Sequence, residues 1–180
     1  MEQTDLYFAY GTNMNGADLR KWCDREGLPY PLAGKIANVW LPDMRQVFNY
    51  LSPMRGGGVS NLRHRTGQAT PGVLFETLPG GWTTLDRREG APLIYKRLPV
   101  VVLSEDGREY DAVTYQVDPG KIEGGFVPPH PDYLAAVREA LFDHGLDDRM
   151  FNAASEGFDP PWTVDRLFVY GTLMEGGPRH

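Results

Sequence analysis

One cysteine, Cys23, in 180 residues excludes an intrachain disulfide framework and a cysteine-based metal site. Histidine is also sparse, and His64, His130, His144 and His180 show no metal-ligand spacing, so solvated loop histidines are expected and no metal. Basic charge is in deficit. Eighteen Lys and Arg against 24 Asp and Glu leave a net charge of −6 and a pI near 5.2. A chain of this kind lacks the basic stripe that neutralises nucleic-acid phosphates and is poorly suited to an anionic membrane surface. Long apolar runs are missing too. The longest aliphatic stretch, near 98–103, falls far short of the roughly 20 residues that span a bilayer. The opening MEQTDLYFAY has neither the basic region nor the apolar core of a signal peptide. The expectation is a soluble, cytoplasmic protein with no nucleic-acid or membrane partner.

What is abundant is punctuation. Glycine (21) and proline (15) favour many short elements joined by turns over a helix bundle. Hydrophobic residues make up 41% and aromatics 12%, enough to fill the core of one ordinary domain.

The pattern along the chain predicts a buried strand over 6–10 that stops at Gly11. A helix starts near Asn15-Gly16, carries Leu19, Trp22 and Cys23 on one face, and ends at Gly27 and Pro29. Cys23 therefore reads as core, not as a nucleophile. Two strands are expected over 34–40 and 44–51, turned by Pro42-Asp43, and then a flexible loop at Arg55-Gly56-Gly57-Gly58. That glycine run lacks the Gly-Lys-Ser/Thr ending of a phosphate loop. A strand over 73–78 follows, then a turn at Pro79-Gly80-Gly81 and a helical turn over 82–89 with Leu85 facing inward. Asp106-Gly107 predicts a hairpin between strands 95–103 and 109–117. Residues 132–144 predict an amphipathic helix with Tyr133, Leu134, Val137, Leu141 and Phe142 on its inner side and Gly145 at its end. Residues 146–165 read as a loop, and 166–170 as a last strand. The sum is an α+β domain: a small mixed, mostly antiparallel β-barrel flanked by two or three helices.

Phe8-Ala9-Tyr10-Gly11-Thr12-Asn13-Met14 recurs as Phe168-Val169-Tyr170-Gly171-Thr172-Leu173-Met174. This divides the chain into a domain over 1–145, a linker over 146–165, and over 166–180 the first strand of a truncated second copy. An unpaired apolar strand at 166–173 is expected to seek a sheet edge, its own or a neighbour's, which would give self-association.

Two segments carry chemistry. After Gly11 the strand ladder ends, so the following N–H groups can point at a carboxylate or a developing oxyanion. In Leu85-Asp86-Arg87-Arg88-Glu89-Gly90, four charges in a row would ordinarily be a solvated face. The abrupt Gly90-Ala91-Pro92 exit, though, could aim Glu89 inward, where burial raises a carboxyl pKa towards neutrality.

Together these segments resemble the gamma-glutamylcyclotransferase family. Tyr10-Gly11-Thr12-Asn13-Met14 is similar to its Tyr-Gly-Ser-Asn-Leu/Met signature, with Thr12 keeping the hydroxyl. Arg55-Gly56-Gly57-Gly58-Val59-Ser60 resembles its Gly-Gly-Val/Ala segment, and Gly72-Val73-Leu74-Phe75 its central strand. Leu85 to Gly90, then Tyr95-Lys96-Arg97, looks like its Leu-Asp-x-x-Glu-Gly and Tyr-x-Arg block. Pro131-Asp132-Tyr133-Leu134 resembles its Pro-Ser-x-x-Tyr helix start, with Asp132 for Ser as a cap. The resemblance covers roughly 5–145. It implies a cofactor-independent enzyme that cyclises a gamma-glutamyl amide to 5-oxoproline, with Glu89 as the general acid/base. It also implies substrate binding by the loop Tyr10, Gly11, Thr12, Asn13 and Met14, mainly through main-chain N–H groups; Tyr7, Tyr10 and Tyr115 are candidate wall or hydrogen-bonding residues. No partner glutamate follows the second motif copy, so that copy is not expected to catalyse. A non-catalytic binding module of the same fold and a gamma-glutamyl amide hydrolase are the alternatives.

Overall fold

The computed structural model describes residues 5–158. Five strands close into a barrel in the order β1-β3-β2-β4-β5. They are β1 (Leu6–Ala9), β2 (Leu32–Ser52), β3 (Gly57–Thr77), β4 (Tyr95–Ser104) and β5 (Glu109–Val117). All pairings are antiparallel except the closing one, where β1 meets β5 in parallel at Tyr7 and Val113. Four helices accompany them: α1 (Gly16–Glu26), α2 (Gly81–Glu89), α3 (Pro131–Asp143) and α4 (Arg149–Ser155). The expected mixed, mostly antiparallel barrel is the observed one. None of these helices is long and apolar enough to cross a membrane.

The period of two in β1 divides the interior. Tyr7 and Ala9 join a core shared with Leu19 and Trp22 of α1 and Val137 and Leu141 of α3. Phe8 and Tyr10 join a cluster built from strand residues such as Val39, Leu62 and Leu74. Asn15 caps α1 by accepting from the N–H groups of Ala17 (3.1 Å) and Asp18 (3.0 Å). The other end of its side chain donates to Glu139 Oε2 at 2.8 Å, which ties α1 to α3.

Three departures from the sequence expectation have physical causes. The chain does not reverse at Pro42-Asp43. β2 runs straight through, because both of its halves pair with the same partner, β3, and the irregularity there is a bulge. Asp43 takes positive φ (55°) and accepts from the Gly67 N–H at 2.7 Å. Next, Gly57 and Gly58 belong to β3, not to a flexible loop. A Cβ on Gly58 would lie 2.0 Å from the Val127 carbonyl oxygen, so only glycine lets the 127–129 segment cross there. Finally, the expected loop after 145 contains α4, with Leu146 and Phe151 buried in the main core. Smaller corrections lie in α3. Phe142 is 84% exposed and not on the inner face. The cap is His130, whose Nδ1 accepts from the Asp132 N–H at 3.2 Å. The repeat copy and its 166–173 strand lie outside the described residues.

Gly72 faces a similar constraint where β1 and β2 both flank β3. A Cβ there would sit 2.3 Å from the Ala9 carbonyl oxygen and 2.5 Å from the Phe8 ring. Gly72→Ala is expected to destabilise by roughly 1–3 kcal/mol or more, because a backbone oxygen cannot rotate away. A urea titration with an unchanged midpoint would contradict this.

Candidate active site

A cavity of about 310 Å³ opens beside β1 and α2. Its wall brings together Tyr7, Tyr10, Gly11, Thr12, Asn13, Glu89 and Tyr115, which are far apart in sequence. Met14 is the one expected binding residue placed elsewhere. It is buried in the core, and its N–H bonds the Gly11 carbonyl at 3.0 Å. That bond closes a 3₁₀ turn over Thr12–Met14. The N–H groups of Thr12 and Asn13 precede it and have no partner within the turn.

Glu89 is the last residue of α2, at the point where Gly90 (φ 63°) ends the helix in the left-handed conformation. Leu85 and Trp82 anchor the buried face, and Arg88 and Glu89 follow Leu85 by three and four residues, so all share that face. Glu89 is half-buried and is the only acid on the cavity wall among the described residues. Its Oε1 accepts from Asn13 Nδ2 at 2.8 Å. Burial pushes its carboxyl above the ordinary glutamate range, opposed by Arg88, by the Asn13 hydrogen bond and by Arg55.

The side chains of the expected binding set are largely committed to one another. Asn13 Nδ2 also donates to the Tyr7 hydroxyl at 2.8 Å, and its Oδ1 accepts from Arg88 Nε at 2.5 Å. The Tyr10 hydroxyl donates to the Tyr115 carbonyl at 2.7 Å. The Tyr115 hydroxyl donates to Asp86 Oδ1 at 2.7 Å. Asp86 in turn receives a two-pronged Arg97 guanidinium at 2.8 and 2.7 Å. Burial holds the phenols of Tyr7, Tyr10 and Tyr115 far above their ordinary range, so they remain neutral donors.

Several residues escaped the sequence reading. Arg55, between β2 and β3, contacts Asp18 of α1 through Nη2 at 2.9 Å and Thr12 Oγ1 at 3.2 Å. Arg88 meets the same two groups, at 2.5 Å and 3.4 Å. Two guanidiniums thus share one carboxylate directly behind the 3₁₀ turn. Burial alone would raise Asp18, but these two arginines hold it below its ordinary range. Tyr133 of α3 completes the wall. Its hydroxyl accepts from the Ser60 N–H at 3.0 Å, and burial pushes it up to about 12. The helical spacing from Leu85 was a signal for Arg88, but nothing local marked Asp18 or Arg55.

A sequence profile of the family described as gamma-glutamyl cyclotransferase, AIG2-like, matches residues 7–135. The chain belongs to this family. The matched span includes every wall residue described above. Solved structures agree on the fold of this cyclotransferase-family chain. One described as a gamma-glutamyl cyclotransferase superposes with a TM-score of 0.68 at 22% identity, over 91% of this chain and 92% of that one. A human protein described as uncharacterized gives a TM-score of 0.68 at 21% identity, over 93% of this chain and 95% of its own. A yeast gamma-glutamyl cyclotransferase described as specific to glutathione gives 0.58 at 13% identity, over 84% and 94%. At these identities the likeness is one of fold. No curated protein matches the chain in sequence.

Proposed function

We propose that the protein is a gamma-glutamyl cyclotransferase, converting a small gamma-glutamyl amide into 5-oxoproline and a free amine or peptide. The observation that carries this reading is the half-buried carboxyl of Glu89, the only acid on the cavity wall among the described residues, beside a turn whose Thr12 and Asn13 N–H groups have no partner within it. In the proposed reaction the substrate's alpha-amine attacks its own gamma-carbonyl. A C–N bond forms and closes a five-membered lactam, and the original amide C–N bond breaks. The alpha-ammonium gives up one proton to Glu89 to become nucleophilic and a second as the lactam forms; the leaving nitrogen collects both by way of Glu89 and departs as an ammonium, so the enzyme ends as it began.

The chemistry asks little beyond orientation and proton transfer. Holding a nucleophile against an electrophile in the same molecule is worth up to roughly 7–11 kcal/mol. A positioned acid/base adds about 10²–10⁴-fold. Burial brings the Glu89 carboxyl nearer neutrality, so it can both accept and return a proton. In this reading the Thr12 and Asn13 N–H groups hold the substrate's carboxylate or the oxyanion. The two arginines on Asp18 leave one net positive charge behind them, which favours an anion at that end. Tyr7 and Tyr115, edge to face at 5.9 Å, form a rigid wall.

The test is a product assay. The protein would be incubated with gamma-glutamyl peptides and gamma-glutamyl amines and the products identified by mass. Formation of 5-oxoproline is expected. Free glutamate in its place would make the protein a hydrolase, and ligand binding without turnover would make it a binding module.

A further inference from the structure

Asn13 lies between two charged groups that want opposite things from it. An amide presents an acceptor oxygen on one side and a donor NH₂ on the other. A guanidinium can only donate. Because Arg88 Nε sits 2.5 Å from Asn13 Oδ1, the oxygen is fixed on that side. The NH₂ must then face the cavity, where it meets Glu89 Oε1 and the Tyr7 hydroxyl, both at 2.8 Å. Turning the amide over would set its NH₂ against a guanidinium and its oxygen against a carboxylate. Arg88 is itself well held. Its side chain is 5% exposed, its guanidinium lies 5.2 Å over the Trp22 ring, and Asp18 supplies a counter-charge. A buried cation without such a partner would be costly.

We propose that Arg88 is the positioning residue of the site: through Asn13 it fixes the hydrogen bond to Glu89, and Asp18 anchors it for that task. The inference rests on Glu89 being the proton-transfer group for its meaning in catalysis, but its first test does not need turnover. The groups facing Glu89 are Tyr7 from β1, Tyr10, Tyr95 from β4, Tyr133 from α3, and the two cations Arg55 and Arg88. The four phenols are held above their ordinary range by burial and stay neutral, so what offsets the burial of the carboxylate is the two arginines and the Asn13 hydrogen bond. Arg88 is the largest of these influences. Removing it takes away a positive charge and frees Asn13 to turn. Both changes disfavour ionised Glu89 and raise its pKa.

The experiment is an NMR titration of the Glu89 carboxyl carbon in ¹³C-glutamate-labelled protein, assigned with Glu89→Gln, without substrate. In Arg88→Met the midpoint should move to higher pH. Arg55 remains to pair Asp18, so this variant keeps an ion pair at that place. In Asp18→Asn the sign reverses. Asparagine keeps an oxygen that can accept from Arg88 Nη2, so Arg88 stays on Asn13 while a negative charge is lost, and the midpoint should move to lower pH. A disturbance of packing alone would not produce opposite shifts. In turnover, Arg88→Met should lower kcat at neutral pH roughly tenfold, a part of the 10²–10⁴-fold range for an acid/base. KM should rise as well, because the net positive charge behind the turn is lost, and it is kcat that should recover as pH rises past the new midpoint. A folded Arg88→Met protein with an unmoved Glu89 midpoint overturns the inference. If that variant does not fold, an unmoved midpoint in Asp18→Asn overturns it equally. Shifted midpoints together with full activity in Glu89→Gln would leave the coupling standing and remove Glu89 from the reaction.

Discussion

Glu89→Gln is expected to lower kcat by at least roughly 100-fold while leaving a folded protein. The substitution is nearly isosteric, and glutamine keeps an oxygen that can accept from Asn13 Nδ2, now 2.8 Å from Glu89 Oε1. What it loses is the ability to take a proton from one nitrogen and give it to another. Stability should respond in the opposite direction. The folded-state pKa of Glu89 is raised by burial, so the protonated form is favoured in the fold. Whatever stability that contributes is complete at acid pH, below the unfolded pKa, and is lost as pH rises through the folded pKa. Glu89→Gln carries no such loss. Its Tm should match wild type at acid pH and equal or exceed it above neutrality. Steady-state kinetics and thermal melts between acid and mildly alkaline pH would check both halves. A well-folded variant with retained kcat would sink the catalytic assignment. A Tm that fell further below wild type as pH rose would show that ionised Glu89 supports the fold.

The barrel was legible where hydrophobic period and turn chemistry coincide. Leu6–Ala9, the 95–117 hairpin around Asp106-Gly107, and the Asn15-capped helix each carry their signal within a dozen residues. β3 was hidden over 57–72, because its exposed middle (Arg63, His64, Arg65) and its glycines read as loop. Its strand character comes from β2 across the ladder, and cross-strand pairing has no local signature. The site divides the same way. Glu89 and the turn after Tyr10 were visible because each ends a short element at a glycine. Asp18, Arg55 and Arg88 come from α1, the β2–β3 connection and α2, and only the closed barrel brings them together. Four neighbouring charges at 86–89 resemble a solvated face. In fact Asp86 pairs with Arg97 and Arg88 is buried, while Arg87 is exposed.

Phe151→Ala is expected to cost roughly 3–5 kcal/mol, a large part of the 5–15 kcal/mol that stabilises an ordinary domain. Phe151 has no exposed surface. Its ring stands edge to face with Phe48 at 5.7 Å, and Phe48 stands edge to face with Tyr133 at 6.1 Å. Tyr133 is the cavity wall that receives the Ser60 N–H. One aromatic row therefore runs from α4 through β2 to the site. Deleting its outer member should lower Tm by roughly 10 °C or more and loosen Tyr133, raising KM before the protein unfolds. The same substitution decides where the domain ends. Were 146–165 a linker, Phe151 would be a surface residue and its loss would stay within about 0.5 kcal/mol. A near-unchanged melt would place the boundary before α4. A large fall would place it after Ser155, with the last helix part of the scaffold that shapes the substrate wall.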